Sequence, residues 1–267
     1  MSLGRTLRTL PPLLRIGVAE TVAYRAELLV WVLTTTVPLV NLGLWTRVAH
    51  EAPFRGYSSA DFIAYFLAAL IVRTVTGTWV AWQIGEEVRT GVMAMRLLRP
   101  VHPYLAFAAT HLAAVPFRSA VMVPIAAILL VSSGRTALTS EPLQLALILP
   151  SIALAWLITF NMIFAIGALA FYATKTMALM NVYFGLFSLF SGYILPIPLL
   201  PSAVRTIAEW LPFRYSLSAP IELMTRPLDT DAVLGLIGGQ VAWTLLTLAG
   251  ALWMWRRGVK HFEAVGG

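Results

Sequence analysis

Residues 61–82 read DFIAYFLAALIVRTVTGTWVAW, and only Asp61 and Arg73 in this stretch carry a charge. A helix of about 20 apolar residues is long enough to cross the hydrocarbon core of a bilayer. Similar stretches recur along the 267-residue chain, which is 59% hydrophobic and has a mean hydropathy of +0.80. Only 12% of its residues are charged, whereas a soluble domain has about 25%. The composition therefore predicts an all-α polytopic membrane protein.

The positions of these apolar runs predict six transmembrane helices. Residues 1–23 precede the first span and are predicted to form an interfacial helix, with arginines toward the lipid headgroups and leucines toward the membrane interior. Residues 24–255 hold the six spans, and residues 256–267 form a C-terminal tail. The predicted spans lie at 24–45, 61–82, 105–133, 146–171, 177–195 and 232–255.

Positive charges predict how these spans are oriented. Eleven arginine and lysine side chains lie on the side that holds both termini, and six lie on the opposite side. Because cytoplasmic loops carry the excess of Lys and Arg, we expect both termini in the cytoplasm. The net charge of +7 then indicates contact with anionic membrane lipid rather than with nucleic acid. The chain has no cysteine, which excludes disulfides and thiolate metal sites.

Two arginines lie well inside predicted spans, where a charge is costly and often functional. Arg73 lies near the middle of the second span, and either an ion pair within the bundle or a functional role would account for it. Arg118 lies in the third span just after Pro116, which can break a helix. We expect residues 105–114 to form a near-surface helix, the span to begin around Pro116, and Arg118 to reach the cytoplasmic headgroups.

The predicted extracellular segment 196–231 is rich in proline. Ser202 is a candidate N-cap of a short helix, and Arg205 and Glu209 are spaced to pair on its polar side. A second short helix is predicted over 220–224. Short helices bounded by prolines favour a re-entrant pair that enters the outer leaflet, and an ordered loop is the alternative.

No catalytic or metal-binding motif is found in the sequence. Gly85 and Gly91 lack the spacing and the following Lys of a phosphate-binding loop. His50 and Glu51 begin a zinc-protease pattern, which fails at Phe54. The predicted spans contain no paired carboxylates of the kind that relay protons. We therefore predict no enzyme activity, cofactor or metal in this chain, so that uphill transport would need energy from another subunit.

Charges return in the predicted cytoplasmic loop 83–104, most of which reads EEVRTGVMAMRLLRPVHPY. A helix over 86–99, stopped by the prolines that follow, would gather three arginines within an arc of about 80° on a mostly apolar surface. Two interpretations stay open from the residues alone. The segment is either a loop with topology-setting charges or a coupling helix that inserts into a cytoplasmic ATPase. The three arginines are Arg89, Arg96 and Arg99.

The layout and two motifs resemble the ABC type 2 exporter permease family. The shared layout is a basic N-terminal surface helix, six spans, and a short cytoplasmic helix between spans two and three. The loop motif is E-x-x-x-G-x-x-x-x-x-L-L-R-P, and the spacing of prolines after the fifth span is similar to that family's extracellular re-entrant segment. The matching residues are Glu87, Gly91, Leu97, Leu98, Arg99, Pro100, Pro196, Pro201, Pro212, Phe213 and Pro220.

The resemblance implies a permease subunit of an ATP-binding cassette exporter in the bacterial cytoplasmic membrane, encoded apart from its ATP-binding subunit. ATP and Mg²⁺ would bind to that partner, and a second permease copy, identical or related, would complete the substrate pathway. Amphipathic drugs, peptides, lipids or glycans would be its substrates. The coupling residues would be Glu86, Glu87, Arg89, Arg96, Arg99 and Pro100, and the candidate pathway residues Arg73, Trp79, Phe184, Phe187 and Ser191.

Two other functional classes remain as alternatives. A secondary transporter or channel would work without an ATPase partner, but the scarcity of acidic residues in the spans and the lack of internal repeats argue against it. A membrane enzyme is disfavoured by the missing catalytic cluster.

Overall fold

The computed structural model describes residues 11–19, 37–134, 137–172 and 176–262. Regular structure in these ranges is helical, apart from an isolated antiparallel bridge between Phe54 and Tyr57. The all-α prediction is therefore confirmed for this part of the chain. The helices are α1 (11–19), α2 (Val37–Val48), α3 (Ser59–Thr76), α4 (Val80–Arg89), α5 (Val92–Leu97), α6 (Pro103–Ala113), α7 (Val115–Ser133), α8 (Pro142–Ala168), α9 (Thr176–Phe190), α10 (Ser202–Trp210), α11 (Pro212–Thr225) and α12 (Thr230–Val259).

Among the described residues, four helical runs are long and apolar enough to cross a membrane. They correspond to predicted spans two, three, four and six. Of the first predicted span, residues 24–36 lie outside the described ranges. The fifth is represented by α9, whose 15 residues are fewer than the about 20 that a straight crossing needs. The four runs are Ser59–Arg89, Pro103–Ser133, Pro142–Phe171 and Thr230–Val259.

The second span is interrupted, although a continuous helix over 61–82 was predicted. α3 ends at Thr76 and α4 begins at Val80. Between them Gly77 adopts an extended conformation with a ψ of 148°, while its N–H still donates to the Arg73 carbonyl at 3.1 Å. The break falls at a glycine flanked by β-branched threonines, and these residue types favour helix less than Ala or Leu.

α3 lies at the centre of the bundle and packs against α2, α7, α8 and α11. The run that contains α3 and α4 is mostly buried by protein, whereas the runs of α6–α7 and α12 are mostly exposed, as lipid-facing helices would be. α8 approaches α4 closely at Gly167, where an added Cβ would lie 2.9 Å from the Ala81 Cα. Such close approach through small residues is typical of helix packing in membranes.

α1 packs against α6 at its one fully buried position. A Cβ on Gly17 would lie 2.8 Å from the Thr110 Cα, so glycine is needed for the two helices to approach this closely. Arg15 is exposed on α1, as an interfacial helix would place it. The other parts of the predicted interfacial segment, 1–10 and 20–23, lie outside the described residues.

The segment after α9 contains two helices, and the second is part of the core. Ser202 is the first helical residue of α10, whose N-cap is Pro201, so the predicted Ser202 cap is wrong. The predicted ion pair is confirmed, with Arg205 Nε 2.8 Å from Glu209 Oε1. α11 is longer than the predicted helix 220–224 and is buried along most of its length against α3 and α8.

Candidate functional site

The predicted coupling helix over 86–99 is two helices. α4 ends at Arg89, Gly91 has a φ of 78°, and α5 begins at Val92. Glycine reaches this left-handed conformation at little cost, so it ends a helix and turns the chain. The prediction of one helix is therefore wrong, and α5 folds back against α4.

Arg96 and Glu87 form a largely buried ion pair across this turn. The Arg96 Nε and Nη2 atoms each lie 2.5 Å from an oxygen of the Glu87 carboxylate. The two side chains are only 16% and 11% exposed. The guanidinium also lies over the ring of Phe107 on α6, with its Cζ 4.2 Å from the ring centroid. Both predicted coupling residues thus hold α5 in place and do not face outward.

Of the other predicted coupling residues, Glu86 is half-buried and the remaining three are exposed. Arg89 pairs with Glu86 on the same helix, with Nη2 2.6 Å from Oε1, and its side chain is 72% exposed. Arg99 and Pro100 are exposed just after α5. The predicted stripe of three arginines is therefore wrong, because Arg96 turns inward and Arg89 belongs to a different helix.

Instead of the predicted arginine stripe, α5 has an exposed apolar face. Val92, Met95 and Leu98 are 52%, 66% and 79% exposed, and their i, i+3, i+6 spacing puts them on one side. Met93 on the opposite side is fully buried. We call these three residues the α5 face. Sequence reasoning missed it, although the three-residue spacing of the large apolar residues was the signal that could have found it.

Arg118 is almost completely buried and does not reach the headgroups. It is 1% exposed, and its Nη2 donates to the Val75 carbonyl at 2.6 Å. Val75 lies in the last turn of α3, where carbonyls lack partners within the helix. The expectation was wrong because the break after α3 offers acceptors inside the bundle. The chain departs from a regular helix at Ala114, between α6 and α7, and the near-surface position of residues 105–114 stays a prediction.

Arg73 lies against aromatic side chains that follow it much later in the sequence. Its guanidinium Cζ is 5.2 Å from the centroid of the Phe187 ring on α9. Tyr193 and Phe187 also contact each other, with ring centroids 5.5 Å apart. The structure therefore brings two of the predicted pathway residues, Arg73 and Phe187, together.

The remaining predicted pathway residues do not join that pair. Trp79 packs against His111, with ring centroids 4.7 Å apart, on the side of α6. Phe184 is 37% exposed, which directs it away from the interior, whereas Ser191 is fully buried. Phe184 is connected to Phe187 through the ring of Tyr183, which contacts both, and the use of the five residues as a substrate pathway stays a prediction.

His111 stabilises the break between α3 and α4 through contacts with two side chains. Its Nδ1 lies 3.1 Å from Thr78 Oγ1 and its Nε2 lies 3.1 Å from Gln83 Oε1. All three side chains lie inside the bundle or at its edge, so the bonds fix the non-helical residues to α6. Within the described ranges, no group of three or more His, Cys, Asp or Glu side chains is placed to hold a metal ion.

Comparison with known proteins agrees with this architecture of apolar helices. A family model described as ABC-2 family transporter protein matches residues 31–266. That match covers the α5 face, the break after α3 and the Arg73 contacts. No curated protein matches the sequence. Since the matched region is most of the chain, the protein belongs to the ABC-2 family of transporter proteins.

Proposed function

We propose that this chain is the permease subunit of an ATP-driven exporter in the bacterial cytoplasmic membrane, with both termini in the cytoplasm. A separate ATPase subunit would bind ATP and Mg²⁺, because the sequence contains no phosphate-binding loop. A second permease copy, identical or related, would complete the pathway. Membership in a family of membrane transport components supports this proposal.

The observation that carries the proposal is the α5 face. Val92 and Met95 on α5 and Leu98 directly after it are exposed, and the charge distribution predicts that they lie on the cytoplasmic side. Contiguous exposed apolar side chains mark interaction sites, because covering them removes apolar surface from water. The exposed Arg99, which follows Leu98 directly, favours a partner whose groove is apolar and has an acidic rim.

Glu87 and Arg96 give the docked helix a connection to the transmembrane bundle. Their ion pair joins α5 to α4, and α4 meets α3 at the break over residues 77–79. A displacement of α5 by the ATPase would therefore be passed to α4 and to the break, rather than taken up by a loose loop. In this proposal Glu87 and Arg96 are positioning residues, and the α5 face is the contact surface.

The docking role is tested by co-expressing this chain with candidate ATP-binding subunits from the same genome and measuring co-purification. We expect the double variant Met95→Asp, Leu98→Asp to weaken assembly by about tenfold or more, because two apolar contacts become charged. Ile207→Asp is the matched control, since Ile207 is 53% exposed on the predicted opposite side. The wild-type chain alone should hydrolyse no ATP.

Two results would contradict the proposal. One is unchanged assembly of the double variant, which would leave the α5 face as a lipid-contacting surface. The other is transport by the purified chain that follows an ion gradient without any ATPase, as a secondary transporter or channel would show.

A further inference from the structure

Arg73 is a charged residue deep within a transmembrane run. It lies about 21 Å along the helix axis from Ser59, at 1.5 Å per residue, and is half-buried. In the part of the chain that the structure describes, no carboxylate lies within ion-pair distance of Arg73. A guanidinium in the membrane interior is costly unless a counter-charge or polar groups accompany it.

Two tyrosine hydroxyls lie near this guanidinium. The Tyr193 ring lies 5.5 Å from the Phe187 ring that the Arg73 guanidinium covers, and its phenolic O–H can donate a hydrogen bond. The Tyr183 ring stacks on the same Phe187 ring at 6.1 Å, and its buried hydroxyl has no hydrogen-bond partner among the residues that the structure describes. A buried hydroxyl that makes no bond costs free energy, so this donor also indicates a missing acceptor.

A second cation strengthens the positive potential at this place. Arg118 is buried against the same part of α3, where its Nη2 donates to the carbonyl of Val75, two residues after Arg73. Two like charges in surroundings of low dielectric constant repel strongly, and an anion between or beside them relieves that repulsion. The aromatic rings of Phe187 and Phe213, which contact Tyr183, make the rest of the surroundings apolar.

We infer that Arg73, Tyr183 and Tyr193 form a binding site for an oxyanion carried on an apolar body, that is, for the carboxylate or phosphate of an anionic amphiphile. The guanidinium and the two hydroxyls are all hydrogen-bond donors, which an oxyanion matches and a neutral or cationic headgroup does not. The rings accommodate the apolar part. This assignment rests on the proposed transport function and names the substrate class.

The probes are dodecyl phosphate, dodecanol and inorganic phosphate, which separate the anion from the apolar tail. The full chain is placed in nanodiscs of zwitterionic lipid, and apparent affinity is obtained from the ligand-dependent rise in Tm. We expect dodecyl phosphate to bind more tightly than dodecanol by about tenfold or more. Equal affinity for inorganic phosphate would overturn the assignment to an amphiphile, and equal affinity for dodecanol would overturn the anion site.

The variants report which side chains supply the recognition. Arg73→Gln should weaken dodecyl phosphate binding by about tenfold or more, whereas Arg73→Lys should keep it within about threefold. Tyr183→Phe should weaken it by about threefold, since one donor is lost. Arg257→Gln is the control: Arg257 also lies over an aromatic ring, that of Trp253 at 5.0 Å, but is exposed. Unchanged binding in Arg73→Gln overturns the proposal.

Glu27 is a carboxylate in the predicted first span and lies outside the described residues. It provides a further check. If it neutralised Arg73, then Glu27→Gln and Arg73→Gln would lower the Tm of the ligand-free chain equally, and neither would weaken dodecyl phosphate binding. That outcome overturns the anion site. The assay needs no ATPase, so the anion site can fail while ATPase docking through the α5 face succeeds, and the reverse also holds.

Discussion

Arg96 and Glu87 are nine residues apart and meet because Gly91 reverses the chain between them. Their side chains form two hydrogen bonds, and the ring of Phe107 covers the guanidinium. A short helix such as α5 has little stability of its own, since isolated helices need about 12–15 residues. Its position therefore depends on these tertiary contacts.

Removing the Glu87 charge should loosen α5. Glu87→Gln leaves Arg96 charged, largely buried and without its carboxylate, which costs about 3 kcal/mol of unfolding free energy. Glu86→Gln is the matched control, because Arg89 is exposed and a solvent-screened pair contributes little to stability. Unfolding in detergent measures both, and equal effects would contradict a structural role of the buried pair.

A side chain at Gly91 should strain the turn. An added Cβ would meet no atom within 4 Å, so the cost of Gly91→Ala comes from the φ of 78° alone. We expect a loss of about 1–2 kcal/mol in unfolding free energy. Gly185→Ala, on α9 and equally unobstructed, should be neutral or stabilising because alanine favours helix. If both substitutions stabilise the chain, the left-handed turn is contradicted.

Gly167 should not tolerate a larger residue. A Cβ there would lie 2.8 Å from Ile84 Cδ1 and 2.9 Å from the Ala81 Cα, and a backbone atom cannot move aside easily. Gly167→Ala should lower the unfolding free energy by about 1–3 kcal/mol, as overpacked cores do. Gly238→Ala on α12 meets nothing within 4 Å and is the control. Similar Tm values for the two variants would argue against the close approach of α8 and α4.

Tyr104 should stabilise the fold through a hydrogen bond between helices. Its hydroxyl donates to Asn161 Oδ1 at 2.6 Å, and the Asn161 amide donates to Thr247 Oγ1 at 3.2 Å, so α6, α8 and α12 are joined. Tyr104→Phe should cost about 0.6–2 kcal/mol, measured by thermal unfolding. Tyr172→Phe, at an exposed position, should have no effect. A neutral Tyr104→Phe would mean that the bond adds nothing to stability.

The local sequence pattern was sufficient to predict features that depend on a single helix or a single apolar run. The four described runs long enough to span a membrane lie where apolar stretches were found. Arg205 and Glu209 pair as their spacing on one helix predicts. The family was also recognisable from motifs, because those residues are close together in sequence. Each of these features can be predicted without knowing which residues cover the helix.

Tertiary structure decided which face of each helix is covered. The periodicity of α5 places Arg96 and Leu98 on different sides, but only the approach of Glu87 and Phe107 makes the arginine side the inner one. Arg118 finds its acceptor 43 residues earlier, at the Val75 carbonyl beside the break in the second span. Arg73 lies against Phe187 because α9 passes it in space. Periodicity specifies directions around a helix axis, whereas the partner in each direction is set by packing between segments distant in sequence.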